Sequence, residues 1–456
     1  MITLDQARKI ILSTCRSIGV REVLVTDSLG FVLAQAPKAT LNVPPFDNSA
    51  MDGYALRARD VESVPTQLKV VGTRLASGLS DEDNKLLVGP GECMRIMTGA
   101  KIPRGADSVV MIENTLASND GSSVKILESC APAKNVRRIG DDILEGEVLC
   151  KAGTPIGPSQ LALLVSGGCA KVQVFDKPKI GVISTGSELV EPGKPLLAGQ
   201  IYDSNRPMML ALLSEAGFST VGFSPTDLSP IDLSPADLSS IDLGCVGDNL
   251  EQLVELIYDQ SCKLDVIIFT GGVSVGDADI VKEAIRIVCQ EDAHSMQIAI
   301  KPGKPLAFGT LDTPSTPDST LDKPSSSSGI DNAQANRRFY LFGLPGNPVS
   351  AAISFELFVR PALLAMSGHE NIFRNTLRAR LSTPIQVPTD GKVHFVRVSL
   401  DRDEQGNWLA ISQAKQGSHQ LSGLSSSDGI AIIESDGGLS ELSHAQVMVT
   451  NPMVFG

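Results

Sequence analysis

A glycine-rich segment, TGGVSVGDAD at 270–279, follows an apolar run and has the composition of an anion-binding turn. Glycines allow backbone N–H groups to approach an anion closely. The segment lacks the Gly-Lys-Ser/Thr ending of a Walker A loop. It ends instead with Asp277 and Asp279, whose carboxylates repel a bare phosphate. This combination predicts a ligand that brings an anion and a metal cation together.

Three further polar segments, STGSEL at 184–189, IKPGKP at 300–305 and GLPGNPVS at 343–350, could join it. Ligands of an open parallel sheet bind at the carboxyl ends of its strands. Prolines restrict the backbone around Lys301 and Lys304, so their ammonium groups have a restricted direction that suits an oxyanion. A solvated basic turn is the alternative interpretation of these lysines.

The elements that must position these loops lie between residues 178 and 366, where strand patterns alternate with helix patterns. Such alternation predicts a parallel α/β domain. The strand segments are KIGVIST, LDVIIFT and RRFYLFGLPG, and the helix segments are RPMMLALLSEAGF, NLEQLVELIYDQ, DADIVKEAIRIVCQ and NPVSAAISFELFVRPALLAM. Asp248 is placed to cap the second helix.

The flanking regions have a different pattern of apolar and polar residues. Residues 3–17 predict an amphipathic helix, residues 20–175 predict irregular β-rich structure, and residues 371–456 predict a small β-barrel or sandwich. Two segments are predicted to be surface insertions: a degenerate Asp-Leu-Ser-Pro repeat at 226–244 and a Pro/Ser-rich stretch at 312–336. Both have too little apolar mass to build a core, and a partner-binding role is the alternative.

Composition excludes several classes of function. The 456 residues exceed a single core, and a formal charge of −13 with 4% aromatic residues opposes nucleic-acid binding. The eight cysteines are scattered without a C-x-x-C motif, which argues against a zinc site and fits reduced thiols in the cytoplasm. No apolar run reaches 18 residues, and the first residues do not resemble a signal peptide, so we expect no membrane insertion.

The chain resembles the molybdopterin molybdenumtransferases, the family of bacterial MoeA and the gephyrin E domain, over nearly its whole length. The segments that carry the resemblance are PPFDNSAMDGYALR, MRIMTGAKIPRGADSVVMIENT, VRRIGDDILEGEVL, STGSELVEPG, GQIYDSNRPMM, TGGVSVGDAD, KPGKPLAFG, LPGNPVS, HFVRV and QGSHQLSGLSSSDG. The resemblance implies a central MogA-like parallel α/β domain, β-rich N-terminal domains and a small C-terminal β-barrel. The implied boundaries are 1–43 with 135–176 for a discontinuous dimerisation domain, 44–134 for an inserted β-rich domain, 177–370 and 371–456.

The resemblance also implies a reaction. Members take adenylylated molybdopterin and molybdate, release AMP in a step that needs Mg²⁺ or another divalent cation, and place molybdenum on the dithiolene sulfurs. We therefore expect a cytoplasmic homodimer whose site joins the α/β domain of one chain to the β-domain of the other. Other molybdenum-cofactor biosynthesis proteins are possible partners.

The carboxylates Asp279, Asp248 and Glu188 match family residues expected to be catalytic and to hold the metal. Asp52 and Thr98 match catalytic positions of the second domain that face the cleft. Alternative interpretations are a helix cap for Asp248, a turn acceptor for Glu188 and a turn brace for Asp52. Position 187 is Ser where many relatives have Asp, so the resemblance supplies no carboxylate there.

The expected substrate and molybdate contacts form a larger set. They are Gly271, Gly272, Ser274, Gly276, Lys301, Lys304, Pro345, Pro348, Ser350, Arg397 and Ser418. Arginine, lysines and hydroxyls together suit a tetrahedral dianion through charge-assisted hydrogen bonds.

Two other functions compete with molybdenum insertion. The α/β domain alone resembles the domain that adenylylates molybdopterin, and the gephyrin E domain is also a scaffold. The DNSAMDGYA signature at 47–55 and the four-domain layout favour insertion. The sequence specifies neither the metal used, nor a scaffold partner, nor selectivity between molybdate and tungstate, nor a role for the two insertions.

Overall fold

The computed structural model of the chain describes residues 1–76, 87–218, 239–273, 279–313, 337–434, 439–440 and 443–451. The chain divides into two units by its internal contacts. Unit 1 contains Met1–Arg21, Gly30–Val32 and Phe175–Gly456, and unit 2 contains Glu22–Leu29 and Leu33–Val174. The sequence-based domain boundaries remain a prediction.

Strands and helices are numbered in chain order. The strands are β1 Val20–Leu24, β2 Asn48–Ser49, β3 Gly53–Leu56, β4 Thr66–Arg74, β5 Glu92–Ile96, β6 Ser108–Met111, β7 Thr115–Ala117, β8 Ser123–Ile126, β9 Val136–Arg137, β10 Lys171–Phe175, β11 Ile180–Thr185, β12 Leu189–Val190, β13 Ile201–Tyr202, β14 Ser240–Val246, β15 Val266–Thr270, β16 Ala293–Gln297, β17 Ile300–Lys301, β18 Pro305–Thr313, β19 Arg337–Leu344, β20 Thr376–Leu381, β21 Val393–Arg402, β22 Trp408–Ser412, β23 Gly429–Ile433 and β24 His444–Val449. The helices are α1 Leu4–Thr14, α2 Pro158–Ser166, α3 Asn205–Glu215, α4 Leu250–Ser261, α5 Ile280–Cys289, α6 Pro348–Ser354, α7 Arg360–Met366 and α8 Leu421–Ser425.

The central sheet of unit 1 has the order β14-β11-β15-β19-β18-β16. Its first four strands are parallel, whereas β18 and β16 are antiparallel to their neighbours. The predicted α/β domain is confirmed, but the sheet is mixed rather than wholly parallel. β18 and β19 pair as antiparallel neighbours from Thr313 and Arg337 inward, so the first two residues of the predicted insertion at 312–336 belong to β18.

Both faces of this sheet are buried, as the apolar strand sequences predict. Ile180 and Val182 of β11 pack with α1, α3 and the helix that follows β19. Ile183 faces the other way and packs with α4 and α5. This alternation follows from the two-residue period of a strand. The sheet is therefore held rigidly between two helical layers, with its strand ends free to carry a site.

The helical segment Pro348–Met366 is one continuous element with a π turn at Phe355–Val359. Pro361 cannot donate to the carbonyl of Leu357, and Arg8 Nε donates to that carbonyl instead at 3.4 Å. Within the described part of the chain this segment alone is long and apolar enough to cross a membrane. Its most apolar window is 89% buried inside the fold, as in the core helix of a globular protein.

The C-terminal strands of unit 1 form a closed five-stranded barrel. Their order is β21-β22-β20-β24-β23, and β23 pairs again with β21. This confirms the predicted small β-barrel. The short strand β17, which precedes the two-lysine turn, pairs in parallel with β21 and aligns Lys301 with His394. The barrel therefore lies directly beside the lysine turn of the same chain.

Unit 2 is built on a six-stranded sheet with the order β6-β3-β5-β4-β8-β7. This confirms the β-rich interpretation of the region, although helix α2 within it was not predicted. Gly53 in the MDGY segment is buried in β3, where an added Cβ would lie 2.0 Å from the carbonyl oxygen of Val110. No side chain fits there without backbone movement.

Two local predictions were wrong. Residues 240–244 of the predicted repeat insertion belong to β14, the edge strand that pairs with β11. The cap of α4 is Asn249, whose side chain accepts from the Gln252 N–H at 3.0 Å, and not Asp248. The chain turns one residue later than expected because Asp248 is held by Ser187.

Candidate active site

The carboxyl ends of three neighbouring strands meet at one edge of the central sheet. Ser184 of β11 is aligned with Thr270 of β15, which is aligned with Leu344 of β19. The segments STGSEL, TGGVSVGDAD and GLPGNPVS, which follow these strand ends, therefore begin side by side. They open into a cleft of about 1040 Å³ within unit 1. This is where an open α/β sheet places its ligands.

The glycine turn after β15 forms the floor of the cleft. Gly271 and Gly272 both have positive φ, and their added Cβ atoms would lie 2.7 Å from Thr185 O and Val281 Cγ2 respectively. The Gly271 N–H is bonded to Leu344 O at 3.1 Å. Both positions therefore require glycine. Ser274 and Gly276, which were predicted to contact substrate, lie outside the described residues.

A second wall carries the two lysines. Lys301 and Lys304 line the cleft, and Lys304 is half-buried. The turn between them is fixed at Gly303, where an added Cβ would lie 3.0 Å from Ser354 Oγ. The Ile298 N–H also bonds Lys304 O at 2.8 Å. Two cationic side chains thus face a concave surface from one constrained turn.

The loop after β19 supplies the adjoining wall. Pro345, Pro348 and the buried Ser350 all line the cleft, and their predicted contact with substrate remains a prediction. Asn347 donates to the Ser418 hydroxyl at 3.2 Å, and Ser418 O accepts from the Val349 N–H at 3.1 Å. These bonds attach the start of the long helix to the barrel loop, so Ser418 faces the cleft beside Ser350.

The barrel forms a further wall of the same cleft, beside the lysine turn. Its contribution includes Lys392, His394 and Gln416, which the sequence analysis missed. Lys392 and His394 are two residues apart at the start of β21, and this spacing places both side chains on one face of a strand. That spacing is the sequence signal for them. All of these lining residues belong to one chain. The expectation that a working site joins the α/β domain of one chain to the β-domain of another remains a prediction.

Arg397 does not line the cleft. Its side chain is fully buried, and its Nη2 donates to Lys415 O at 2.6 Å and to Gly417 O at 3.2 Å. Burial lowers the pKa of the Arg397 guanidinium. The arginine therefore holds the loop that presents Gln416, Gly417 and Ser418, and meets the site through that loop.

Three predicted metal ligands occupy separate environments. Glu188 lines the cleft. Asp248 accepts from the Ser187 N–H at 3.2 Å, while its own N–H donates to the Ser187 hydroxyl at 3.1 Å. Asp279 precedes α5 and pairs with Lys282 at 3.0 Å. Burial raises the pKa of the Asp279 carboxyl, and Lys282 opposes that rise.

These carboxylates do not assemble into a metal centre. Among the described residues, no three His, Cys, Asp or Glu side chains come close enough to hold a metal ion. The three-carboxylate metal site implied by the resemblance therefore does not fit the described residues. Glu188 is the member of the set that reaches the cleft.

Behind the cleft, Arg206 holds three elements together. The buried guanidinium pairs with Asp203 at 2.9 Å, with Asp242 at 2.6 Å and with Glu191. Desolvation lowers the pKa of Arg206, but the hydrogen bonds to Asp242 and Asp203 outweigh it and raise that pKa. Asp203 also accepts from the Ser184 hydroxyl at 2.5 Å. The network fixes β14 and α3 against the end of β11.

Asp52 and Thr98 lie in unit 2 and form a pair. The Thr98 N–H and hydroxyl both donate to Asp52 Oδ1, at 2.6 and 2.8 Å. These two hydrogen bonds, the backbone one first, lower the pKa of the Asp52 carboxyl. Asp52 therefore braces the turn that carries the MDGY segment, and the role predicted for it in catalysis remains a prediction.

Comparison with known proteins agrees with this architecture. Residues 2–168 match the MoeA N-terminal region (domain I and II), residues 232–365 a probable molybdopterin binding domain, and residues 378–442 the MoeA C-terminal region (domain IV). A molybdopterin molybdenumtransferase of Haemophilus influenzae is 34% identical over 440 residues, covering 96% of both chains.

Two other relatives extend the match. Molybdopterin molybdenumtransferase 2 of Mycobacterium tuberculosis is 32% identical over 443 residues, again covering 96% of both chains. The crystal structure of a molybdopterin biosynthesis MoeA protein from Pyrococcus horikoshii is 31% identical and superposes with a TM-score of 0.72, over 98% of this chain and 99% of that one. The chain therefore belongs to the MoeA family, the enzymes of molybdenum cofactor biosynthesis called molybdopterin molybdenumtransferases.

Proposed function

We propose that this cleft binds adenylylated molybdopterin and molybdate, inserts molybdenum at the dithiolene sulfurs and releases AMP. The observation that carries the proposal is the joint placement of the glycine turn and Lys301 with Lys304 on one cleft. Backbone N–H groups beside glycine receive phosphate oxygens, and two ammonium groups receive a tetrahedral dianion. Ser350 and Ser418 add hydroxyl donors at the wall beside the lysines.

The divalent cation enters the proposal with the substrate. Mg²⁺ is usually bound by one or two carboxylates together with substrate phosphates, and it retains several waters. Glu188, on the cleft wall, is the carboxylate that suits this arrangement. The expected consequence is that Glu188→Gln raises the Mg²⁺ concentration needed for AMP release by about tenfold or more, through loss of one anionic ligand.

The whole protein is proposed to work as a cytoplasmic homodimer, with other proteins of molybdenum cofactor biosynthesis supplying and receiving its pterin. The unpaired thiols support a reducing compartment: all eight cysteines are free. Burial raises the pKa of the Cys15, Cys93 and Cys289 thiols to about 12, which keeps them protonated and unreactive at neutral pH.

Substrate choice tests the proposal. The purified protein is offered either molybdopterin with ATP and Mg²⁺, or adenylylated molybdopterin with molybdate and Mg²⁺, and nucleotides are measured by chromatography. We expect AMP from the second mixture and no adenylylated product from the first. Production of adenylylated molybdopterin from ATP would assign the protein to the preceding step, and inertness in both mixtures would favour a scaffold.

A further inference from the structure

His394 is a buried titratable group on the cleft wall that the proposed function does not use. Its side chain is only 5% exposed, yet the residue lines the cleft with Lys301 and Gln416. Strand pairing aligns it with Lys301, so the two residues lie side by side at the junction of β17 and β21. A histidine in this position is near any oxyanion that the lysine turn receives.

Asp390 orients the imidazole. His394 Nε2 lies 3.0 Å from Asp390 Oδ1, and Lys392 Nζ lies 2.5 Å from Asp390 Oδ2. Hydrogen bonds from Lys392 and His394 hold the pKa of the Asp390 carboxyl well below its usual range. A carboxylate bonded to one ring nitrogen fixes the orientation of the ring and leaves the other nitrogen for a second partner.

Charged side chains near His394 come from β17 with its turn and from the segment before β21. Lys301 comes from β17 and Lys304 from the turn after it, while Lys392 and Asp390 precede β21. On the other side, β23 places Ile433 opposite His394 and brings no charge. The wall therefore carries three lysines and one carboxylate, and that carboxylate bonds the imidazole. Such a wall suits a dianion that must also gain a proton.

We propose that His394, held by Asp390, transfers a proton to the oxygen that leaves molybdate during molybdenum insertion. This inference rests on the proposed function. With a dithiol R(SH)₂, the step converts R(SH)₂ and MoO₄²⁻ into RS₂MoO₃²⁻ and H₂O. Two Mo–S bonds form, one Mo–O bond breaks, and molybdenum keeps its oxidation state.

The protons balance within this step. The departing oxygen takes two protons and leaves as water. The imidazolium of His394 supplies one of them and regains a proton from one thiol, while the second thiol proton completes the water. Positioned histidine acids and bases of this kind accelerate proton transfer by about 10² to 10⁴. The protein therefore contributes to this step a proton on a ring nitrogen of His394, whose position beside the anion is fixed.

The test compares His394→Gln with the native protein across pH, with molybdenum insertion and AMP release measured separately. We expect insertion to slow about 100-fold in the variant. The pH profile of insertion should change in the variant, because the group that transfers the proton is lost. His444→Gln is the matched control, since His444 is an exposed histidine on barrel strand β24 outside the cleft.

Two further variants keep the inference open to refutation if His394→Gln folds poorly. In Asp390→Asn, the pH profile of insertion should also change, because the carboxylate that holds the imidazole is lost. In His394→Ala, added imidazole should restore part of the insertion rate. An unchanged pH profile in all three variants would overturn the role of His394. Absence of insertion by the native protein would instead overturn the proposed function itself.

Discussion

Lys301 and Lys304 supply the positive charge on the turn that faces the strand ends of the central sheet. Hydrogen bonds to charged groups contribute about 1.5–3 kcal/mol, so each lysine should account for about 10- to 100-fold in oxyanion binding. Lys301→Ala and Lys304→Ala are therefore expected to weaken molybdate binding by that factor without unfolding the protein. Titration calorimetry of molybdate binding measures this loss of affinity directly.

The matched control for these variants is Lys263→Ala. Lys263 is exposed and pairs only with Asp259 four residues earlier at 2.9 Å. Surface pairs of this kind contribute little to stability. If Lys263→Ala weakens molybdate binding as much as the turn variants, the effect reflects net charge and the lysine turn has no special role.

At the residue scale, the sequence predicted the groups that belong to a single loop. Glu188, Gly271, Lys304, Pro348 and Ser418 all reach the cleft because each lies next to a strand end or a constrained turn. His394 was missed because its placement depends on β17 pairing with β21, across more than ninety residues of chain. Gln416 was missed because hydrogen bonds to the backbone of Arg397 hold its side chain. The burial of Arg397 could not be predicted either, because the Arg-x-Ser-Leu segment does not show which backbone carbonyls lie near the arginine side chain.

At the element scale, two deletions of the repeat look similar in sequence, but only one of them removes part of β14. Removing 226–238 and closing with a short Gly/Ser turn leaves β14 intact, so the free energy of unfolding should change by about 1 kcal/mol or less. Removing 227–242 also removes Asp242 and leaves the buried Arg206 with one partner fewer. Arg206 keeps Asp203 and Glu191 as partners, so the loss of stability should exceed that of the first deletion but stay below the cost of about 3–5 kcal/mol for an uncompensated buried charge.

Chemical denaturation of the two deletion proteins measures this difference. Equal stability would show that β14 and its ion pair to α3 contribute nothing to the fold. A large loss of activity in a stable 226–238 deletion would instead assign a function to the repeat.

Gly53 provides a second test at this scale. Gly53→Ala forces a Cβ to 2.0 Å from Val110 O, which is backbone in the neighbouring strand, so the strands must separate. Overpacking of this kind costs about 1–3 kcal/mol, and a backbone contact places this case at the upper end. Gly247→Ala is the control: an added Cβ there lies 3.5 Å from Ser187 Oγ, an ordinary contact, and Gly247 does not have a positive φ. Thermal unfolding should separate the two variants clearly.

The helices and strands of the α/β region were predictable because their apolar periods are long and regular. Thr3 caps α1 through a capping box with Gln6, as its sequence position indicates. The edge strand β14 was missed because Ser-Ile-Asp-Leu continues the repeat pattern. Its pairing with β11, rather than its own composition, makes it a strand. Helix α2 was hidden for a similar reason, within a region dominated by short strands.

At the scale of the whole molecule, the cleft has both walls in one chain. A heterodimer of one Lys304→Ala chain and one Arg397→Ala chain should therefore stay inactive, because every site carries one lesion. Heterodimers purified through two different tags are the material to assay, after each parent is shown to be folded. Recovery of about half the native activity would mean that the walls of each working site come from two chains.

The central claim is that this cleft moves molybdenum onto a pterin. The most direct measurement incubates the native protein with adenylylated molybdopterin, molybdate and Mg²⁺, and quantifies AMP and pterin-bound molybdenum in the same sample. We expect the two products in about equal amounts, and neither at a comparable rate from the Lys301→Ala, Lys304→Ala double variant. Intact adenylylated molybdopterin after incubation with the native protein, or AMP without molybdenum on the pterin, would contradict the account.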